Sequence, residues 1–184
     1  MTAPGEFFTR WRVRFSYPLA LAACWFARPT PRFIAVGAFV GLIGLLVRAA
    51  AAGYLRKNEE LACSGPYAFT RNPLYLGSSI LAAGFLIGIH SWWAAAIVAV
   101  YFALFYPAVI RREENYLRTL HGAAFEEYSK SVPIFLPRLS PRSGAAKSPA
   151  GFSWGQYVRN REYRAAIGFA AGVALLVVLM KWRS

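Results

Sequence analysis

The stretch GPYAFTRNPLYLGSS, residues 65–79, marks the point at which a polar loop becomes a long apolar helix. A Gly-Pro turn opens the stretch, and an Asn-Pro pair comes directly before the apolar run. Pro73 suits the first turn of a helix because no backbone donor is needed there, which places Asn72 at the N-cap. The pattern therefore predicts a helix that begins at Pro73, with Arg71, Asn72 and Tyr75 at its mouth.

The composition of the whole chain indicates an integral membrane protein. Of its 184 residues 57% are hydrophobic, and the mean hydropathy is +0.37, which is too apolar for an ordinary soluble domain. The net charge is +13, from 21 Lys and Arg against 8 acids, all of them Glu. The basic residues flank apolar runs, which disfavours nucleic-acid binding. With no Asp and no CxxC pair, the sequence predicts no metal site.

Five segments approach the roughly 20 apolar residues that a membrane-spanning helix needs. They are residues 13–27, 33–55, 74–89, 92–110 and 165–182. The first segment is short and contains Pro18, so it is either a kinked span or partly interfacial. We interpret it as a retained first helix because no small-residue cleavage site follows it. The sequence predicts an all-α membrane bundle of about five transmembrane helices with a cytoplasmic amphipathic helix.

The chain is predicted to have four parts. Residues 1–54 form the N-terminal membrane helices, and residues 55–138 form a core of motif loop, helical hairpin and cytoplasmic helix. Residues 139–162 form a linker rich in Pro, Ser, Gly and Ala at its start, and residues 163–184 form a C-terminal transmembrane helix. The hairpin is expected to be antiparallel because only His90 and Ser91 separate its two apolar runs.

The polar segment 111–132 has a helical pattern with one apolar stripe. Gly122 is a possible break within it. The stripe is formed by residues at every fourth position, which are Tyr116, Leu120, Ala124 and Tyr128.

The basic residues predict the orientation of the chain in the membrane. Lys and Arg are concentrated in residues 10–14, 56–73 and 111–164, whereas the His90-Ser91 turn has none. Basic loops tend to stay in the cytoplasm, so the N-terminus is expected to be cytoplasmic. A bacterial inner membrane is the expected location.

Charged groups beside a bilayer tend to face a shared cavity. Arg48 lies about two turns from the cytoplasmic end of the second predicted span, where it either snorkels or lines a cavity. Glu113 and Glu114 follow the fourth span, where they either complement a helix dipole or face a bound cation. A small-residue face on the second span predicts close helix packing through Gly37, Gly41 and Gly44.

The hairpin should bring several of these groups together. Tyr75 enters the third predicted span at the cytoplasmic end, and Glu113 and Glu114 leave the fourth span at the same end. The expected result is a pocket with carboxylates, an arginine, aromatic rings and a helix N-terminus. Such a pocket suits a small ligand that carries both a cation and an anion.

At these residues the chain resembles the isoprenylcysteine carboxyl methyltransferase and phospholipid N-methyltransferase superfamily. The resemblance covers roughly residues 55–138 and follows the order of the motifs around the hairpin. The matching motifs are Gly65-Pro66-Tyr67, Arg71-Asn72-Pro73-Leu74-Tyr75-Leu76-Gly77, Glu113-Glu114 with Leu117, His121-Gly122, Phe125 with Tyr128, and Val132-Pro133. Asn72 departs from the carboxyl methyltransferases, which usually have His there, and agrees with the phospholipid methyltransferases.

The resemblance implies an S-adenosylmethionine-dependent membrane methyltransferase acting on a lipid-like or hydrophobic-tailed acceptor. It implies a cofactor pocket formed by Tyr67, Arg71, Asn72, Tyr75, Gly77, Glu113 and Glu114. Arg71, Asn72 and Glu114 are the implied catalytic residues. We assign one Glu to the amino group or ribose of the cofactor, Arg71 to its carboxylate, and Tyr75 to a position near its adenine or sulfonium.

Two alternatives remain open at this point. Membrane sterol reductases, which use NADPH, resemble this superfamily in their C-terminal helices. A non-catalytic membrane adaptor would keep the fold without turnover. The acceptor also stays open, as a lipid-like carboxylate, an amine of the phosphatidylethanolamine type, or a small hydrophobic thiol or amine.

Overall fold

The computed structural model describes residues 22–57, 59–141 and 151–183, and every regular element within these ranges is helical. The elements are α1 (Pro31–Tyr54), a 3₁₀ helix (Gly65–Ala68), α2 (Pro73–Ile89), α3 (Trp92–His121), α4 (Ala123–Ser131), α5 (Trp154–Arg159) and α6 (Tyr163–Arg183). The predicted all-α class is therefore confirmed. Most of the first predicted span, residues 13–27, lies outside the described residues.

Within the described residues, three helices, α1, α3 and α6, are long and apolar enough to cross a membrane. Helix α2 is also apolar, but it is shorter at 17 residues. The second to fifth predicted spans coincide with α1, α2, α3 and α6 to within a few residues, apart from the C-terminal extension of α3. These helices support a polytopic membrane protein.

Helices α1 and α2 pack through a glycine seam, which we define as Gly37, Gly44, Gly77 and Gly84. A Cβ atom built on Gly44 would lie 2.6 Å from the Leu81 backbone nitrogen and 2.7 Å from the Gly77 oxygen. A Cβ atom on Gly84 would lie 2.6 Å from the Gly37 oxygen. Only residues without a side chain permit this approach, so the predicted close packing is confirmed.

The C-terminal segment packs against the same pair of helices. The Phe169 ring of α6 contacts Gly41 of α1 and lies edge-on to Phe85 of α2, with ring centroids 5.6 Å apart. Before α6, the Asn160 side chain donates hydrogen bonds to the carbonyl oxygens of Ala52 and Leu55, each at 2.9 Å. Segment 151–183 is thereby anchored to the C-terminal end of α1.

Helix α3 continues without a break past the apolar residues to His121. Glu113 and Glu114 therefore lie inside a long helix, and the expectation that they complement the dipole of a first turn is wrong. The predicted break at Gly122 is confirmed, since its φ of 52° ends α3 and begins α4.

The break also changes which side chains are buried after it. Phe125, Tyr128 and Val132 form a buried cluster, with Leu117 packed against it. The other three members of the predicted stripe are not buried, and the stripe is not continuous, because the positive φ at Gly122 changes the helical phase between Leu120 and Ala124. Those exposed members are Tyr116, Leu120 and Ala124.

Candidate functional site

The loop that carries the opening motif is held by a second extended segment that follows α4. The backbone N–H of Arg71 donates to the Pro133 oxygen at 2.9 Å, and that of Arg138 donates to the Phe69 oxygen at 3.0 Å. These bonds satisfy backbone groups that a loop would otherwise leave to solvent. The Val-Pro segment therefore fixes the entry to α2.

Asn72 occupies the predicted N-cap position of α2, but its side chain makes no capping hydrogen bond. Its amide nitrogen donates instead to the Ile134 oxygen at 2.9 Å. Thr70, which is 2% exposed, donates through its hydroxyl to the Phe135 oxygen at 2.9 Å. The capping interpretation of the Asn72 side chain is thus corrected, because the neighbouring segment offers it a carbonyl.

Arg71 and Glu114 form an ion pair across the site, with 3.2 Å between Arg71 Nε and Glu114 Oε1. Their side chains are 14% and 13% exposed. Both atoms are buried, and neither makes a hydrogen bond among the described residues. The pair therefore keeps unused hydrogen-bonding capacity at a place that water reaches poorly.

Glu114 lies in the polar extension of α3, beyond its apolar residues 92–110. Burial raises the pKa of the Glu114 carboxyl above its ordinary value, and the positive charges of Arg71 and Arg118 oppose this rise. The Asn72 side chain also opposes it, but burial is the largest cause. A cationic group placed beside Glu114 would stabilise its charged form.

Tyr67 lies in the 3₁₀ helix and is 7% exposed. Its backbone oxygen accepts a hydrogen bond from the Tyr128 hydroxyl at 2.7 Å. Burial raises the pKa of the Tyr67 phenol, and the carboxylates of Glu113 and Glu162 raise it further, against the lowering effect of Arg48. Tyr67 is therefore a neutral phenol at physiological pH.

Two cavities meet at these residues. The loop-side cavity has a volume of about 280 Å³, and the hairpin-side cavity has a volume of about 440 Å³. Glu114 and Tyr128 line the former, whereas Tyr75 and Tyr106 line the latter. The wall between them is formed by residues that line both, including Tyr67, Arg71, Asn72 and Glu113.

The structure brings most of the predicted site residues together. Those at the loop-side cavity are Tyr67, Arg71, Asn72, Glu113 and Glu114. Tyr75 lines the hairpin-side cavity, where its ring lies edge-on to Tyr106 with centroids 5.4 Å apart. Gly77 lines neither of these two cavities. A Cβ atom there would lie 2.6 Å from the Arg48 side chain, so Gly77 serves helix packing.

Sequence reasoning missed the partner of Arg48. Its Nε donates to Glu162 Oε1 at 2.5 Å, and its Nη1 donates to the Ser78 hydroxyl. Arg48 is thus paired inside the bundle and does not snorkel. The available signal was the position of Glu162, an acid directly before an apolar run. Tyr101 and Tyr106 were also missed, although the hairpin register places Tyr106 opposite Tyr75.

Comparison with known proteins indicates which family the chain resembles. The model of the phospholipid methyltransferase family matches residues 36–124. A protein-S-isoprenylcysteine O-methyltransferase of Schizosaccharomyces pombe is 31% identical over 83 residues, which are 45% of this chain and 35% of that protein. The resemblance to the superfamily of membrane methyltransferases is thereby confirmed.

Two further relatives carry names that refer to metal resistance. The nickel-cobalt-cadmium resistance protein NccN of Alcaligenes xylosoxydans xylosoxydans and the cobalt-zinc-cadmium resistance protein CzcN of Cupriavidus metallidurans are each 42% identical over 85 residues. The match covers 46% of this chain and 39% of each relative, so the chain spans about two fifths of their length. No solved structure matches the chain.

Proposed function

We propose that this chain is an integral membrane methyltransferase that uses S-adenosylmethionine and methylates an acceptor with a hydrophobic tail. The observation that carries the proposal is the wall shared by the two cavities. The motif residues Arg71, Asn72 and Glu113 line both the loop-side and the hairpin-side cavity. A cofactor on one side of this wall and an acceptor on the other would meet at those residues.

The loop-side cavity fits the amino-acid end of the cofactor. Arg71 Nε and Glu114 Oε1 are buried, carry opposite charges and have hydrogen-bonding capacity to spare. Glu114 would accept hydrogen bonds from the ammonium group, and Arg71 would donate to the carboxylate. The neutral phenol of Tyr67 would donate one further hydrogen bond to the cofactor. When bound, S-adenosylmethionine would supply an already activated methyl group.

The hairpin-side cavity suits the acceptor. It lies between α1, α2 and α3, where aromatic side chains such as Tyr75 and Tyr106 face a polar end with Arg48 and Glu113. A tail would remain among the helices while the head approaches the shared wall. Methyl transfer then depends mainly on orientation. A carboxylate acceptor needs no base, whereas an amine must lose its proton, which Glu113 is placed to accept.

The same proposal includes the placement of the chain in its membrane. The site would lie at the cytoplasmic face of a bacterial inner membrane with the N-terminus inside, as the distribution of Lys and Arg indicates. Residues 55–138 would form the methyltransferase core. The other predicted parts, residues 1–54, 139–162 and 163–184, would support it.

The test is transfer of a tritiated methyl group from S-adenosylmethionine into the lipid-extractable fraction of membranes that contain the chain. We expect incorporation with the wild type and less than about one tenth of it with Glu114→Gln. Gly168→Ala is the matched control, because a Cβ atom at Gly168 meets nothing within 4 Å. Equal incorporation by wild type and Glu114→Gln would contradict the assignment. No incorporation by a folded protein that does not bind S-adenosylhomocysteine would favour the adaptor.

A further inference from the structure

Of the ion pair between Arg48 and Glu162, only the arginine faces the hairpin-side cavity. Arg48 lines that cavity and its side chain is 23% exposed, whereas Glu162 is not among the lining residues and its side chain is 9% exposed. Behind Arg48, Glu162 accepts from Nε at 2.5 Å. The guanidinium therefore faces the cavity, and the carboxylate holds it from behind.

Glu162 comes from a part of the chain that the family match does not include. It precedes α6 directly, and the match ends at residue 124. Asn160, two residues earlier, is bonded to the carbonyls of Ala52 and Leu55 at the end of α1. These bonds hold the carboxylate beside Arg48. The C-terminal segment thus supplies the counter-charge of a residue in the proposed acceptor cavity.

The remaining contacts of Arg48 leave it able to bind a further group. Its Nη1 donates to the Ser78 hydroxyl and to the Leu74 oxygen, the latter at 3.4 Å. Its Nη2 also contacts Glu162 Oε1, so four of the five N–H donors of the guanidinium have partners and one donor on Nη2 remains. Buried ion pairs add little net stability compared with apolar packing, so stability alone does not explain this one.

The charges around the hairpin-side cavity favour an anion. Among the described residues, Arg48, Lys57 and Arg71 line it with one carboxylate, that of Glu113, whereas the acids that pair with the arginines, Glu162 and Glu114, do not line it. Arg71 is already paired with Glu114. The Ser78 hydroxyl accepts from Arg48 and donates to the Leu74 oxygen at 2.8 Å, so the remaining Nη2 donor of Arg48 is the group placed to bind a phosphate or carboxylate oxygen.

We propose that Arg48 binds an anionic oxygen group of the acceptor, a phosphate or a carboxylate, and that Glu162 is the positioning residue that holds Arg48 toward it. The inference rests on the proposed function, because it takes the hairpin-side cavity as the acceptor site. It gives the C-terminal segment a part in substrate recognition in addition to its anchoring of α1.

The test uses three probes with the same tail, dodecyl phosphate, dodecanoate and dodecanol, titrated into the purified full chain with and without S-adenosylhomocysteine. We expect the wild type to bind one or both anionic probes at least about tenfold more tightly than dodecanol, as one charge-assisted hydrogen bond predicts. A stronger response to dodecyl phosphate indicates a phosphate on the acceptor, and a stronger response to dodecanoate indicates a carboxylate. Equal affinity for all three probes would overturn the inference.

The double variant Arg48→Glu with Glu162→Arg separates recognition from a purely structural role. It restores the ion pair, so the melting temperature should recover relative to either single variant, but it turns a carboxylate toward the cavity. We expect the preference for anions to be lost. Recovery of both stability and anion preference would show that the pair is only structural.

If the charge-exchanged variant does not fold, the double variant Arg48→Gln with Glu162→Gln tests the same point with neutral side chains of similar size. The preference for anions should disappear in it, and its persistence would overturn the inference. Binding of S-adenosylhomocysteine is measured separately on the wild type. Its absence would count against the proposed function, whereas a missing anion preference in a protein that binds it would count only against the role of Arg48.

Discussion

Helix α2 packs in opposite ways on its two faces, closely at the glycine seam and openly at the hairpin-side cavity. On one face, Gly77 and Gly84 allow the backbone of α1 to come so close that no side chain fits between the two helices. On the other, Tyr75 meets Tyr106 of α3 through their rings, 5.4 Å apart, beside a cavity of about 440 Å³. The first contact leaves no space, and the second keeps space open. A short apolar helix can therefore be fixed rigidly on one side while it lines a site on the other.

The largest expected effect lies in the seam. Gly84→Ala places a Cβ atom 2.6 Å from the Gly37 oxygen, so α1 and α2 must separate. We expect a loss of about 2–3 kcal/mol in the free energy of unfolding, measured by thermal or denaturant unfolding in detergent. Gly168→Ala on α6 is the control and should be neutral or slightly stabilising. A seam variant as stable as this control would mean that the close packing is incorrect.

Unlike Gly84→Ala, Glu114→Gln should weaken cofactor binding and leave stability nearly unchanged. It removes the carboxylate that we assign to the cofactor and leaves the seam untouched. We expect affinity for S-adenosylhomocysteine to fall at least about tenfold, which is about 1.4 kcal/mol of binding free energy, with a melting temperature close to that of the wild type. Calorimetric titration and a thermal scan of the same sample measure both. A large loss of stability with unchanged affinity would make Glu114 a structural residue.

A smaller effect is expected where the loop is fastened to α4. Tyr128→Phe removes the hydrogen bond to the Tyr67 oxygen and leaves a buried carbonyl without its partner. The free energy of unfolding should fall by about 1 kcal/mol. Tyr163→Phe is the comparison variant, because its ring is exposed on α6. Equal stability of the two variants would show that the bond contributes nothing.

The smallest expected effect is a dependence on pH. Burial raises the pKa of the Glu114 carboxyl, so the folded state favours its protonated form. The stability from this group is present at low pH and is lost as pH rises through the raised pKa. Between about pH 4 and pH 7, the melting temperature of the wild type should therefore fall relative to Glu114→Gln, by about 1–3 °C. A difference that grows with pH would mean that Arg71 outweighs burial.

Much of this fold could be predicted because its signals are local. Apolar length, the Asn-Pro pair before α2 and the two-residue turn after it defined the hairpin, and Gly122 marked the end of α3. Motif order around the hairpin grouped Arg71, Asn72, Glu113 and Glu114. The phase of α4 could not be predicted, because it depends on the backbone angles of Gly122.

Contacts between distant parts of the chain were also beyond prediction. Arg48 and Glu162 are separated by 114 positions, and neither residue type nor spacing connects them. The Asn72 side chain was predicted to cap α2, but it donates instead to the Ile134 oxygen. In both cases the partner arrives through the packing of a later segment, which a single sequence does not reveal.

The central claim is that the loop-side cavity holds S-adenosylmethionine, and calorimetric titration of the detergent-purified chain tests it most directly. S-adenosylhomocysteine and NADPH are titrated in parallel into samples whose folding is confirmed by a cooperative thermal transition. We predict saturable binding of S-adenosylhomocysteine and no binding of NADPH. Binding of NADPH alone would contradict the account in favour of a reductase, and binding of neither would favour a non-catalytic adaptor.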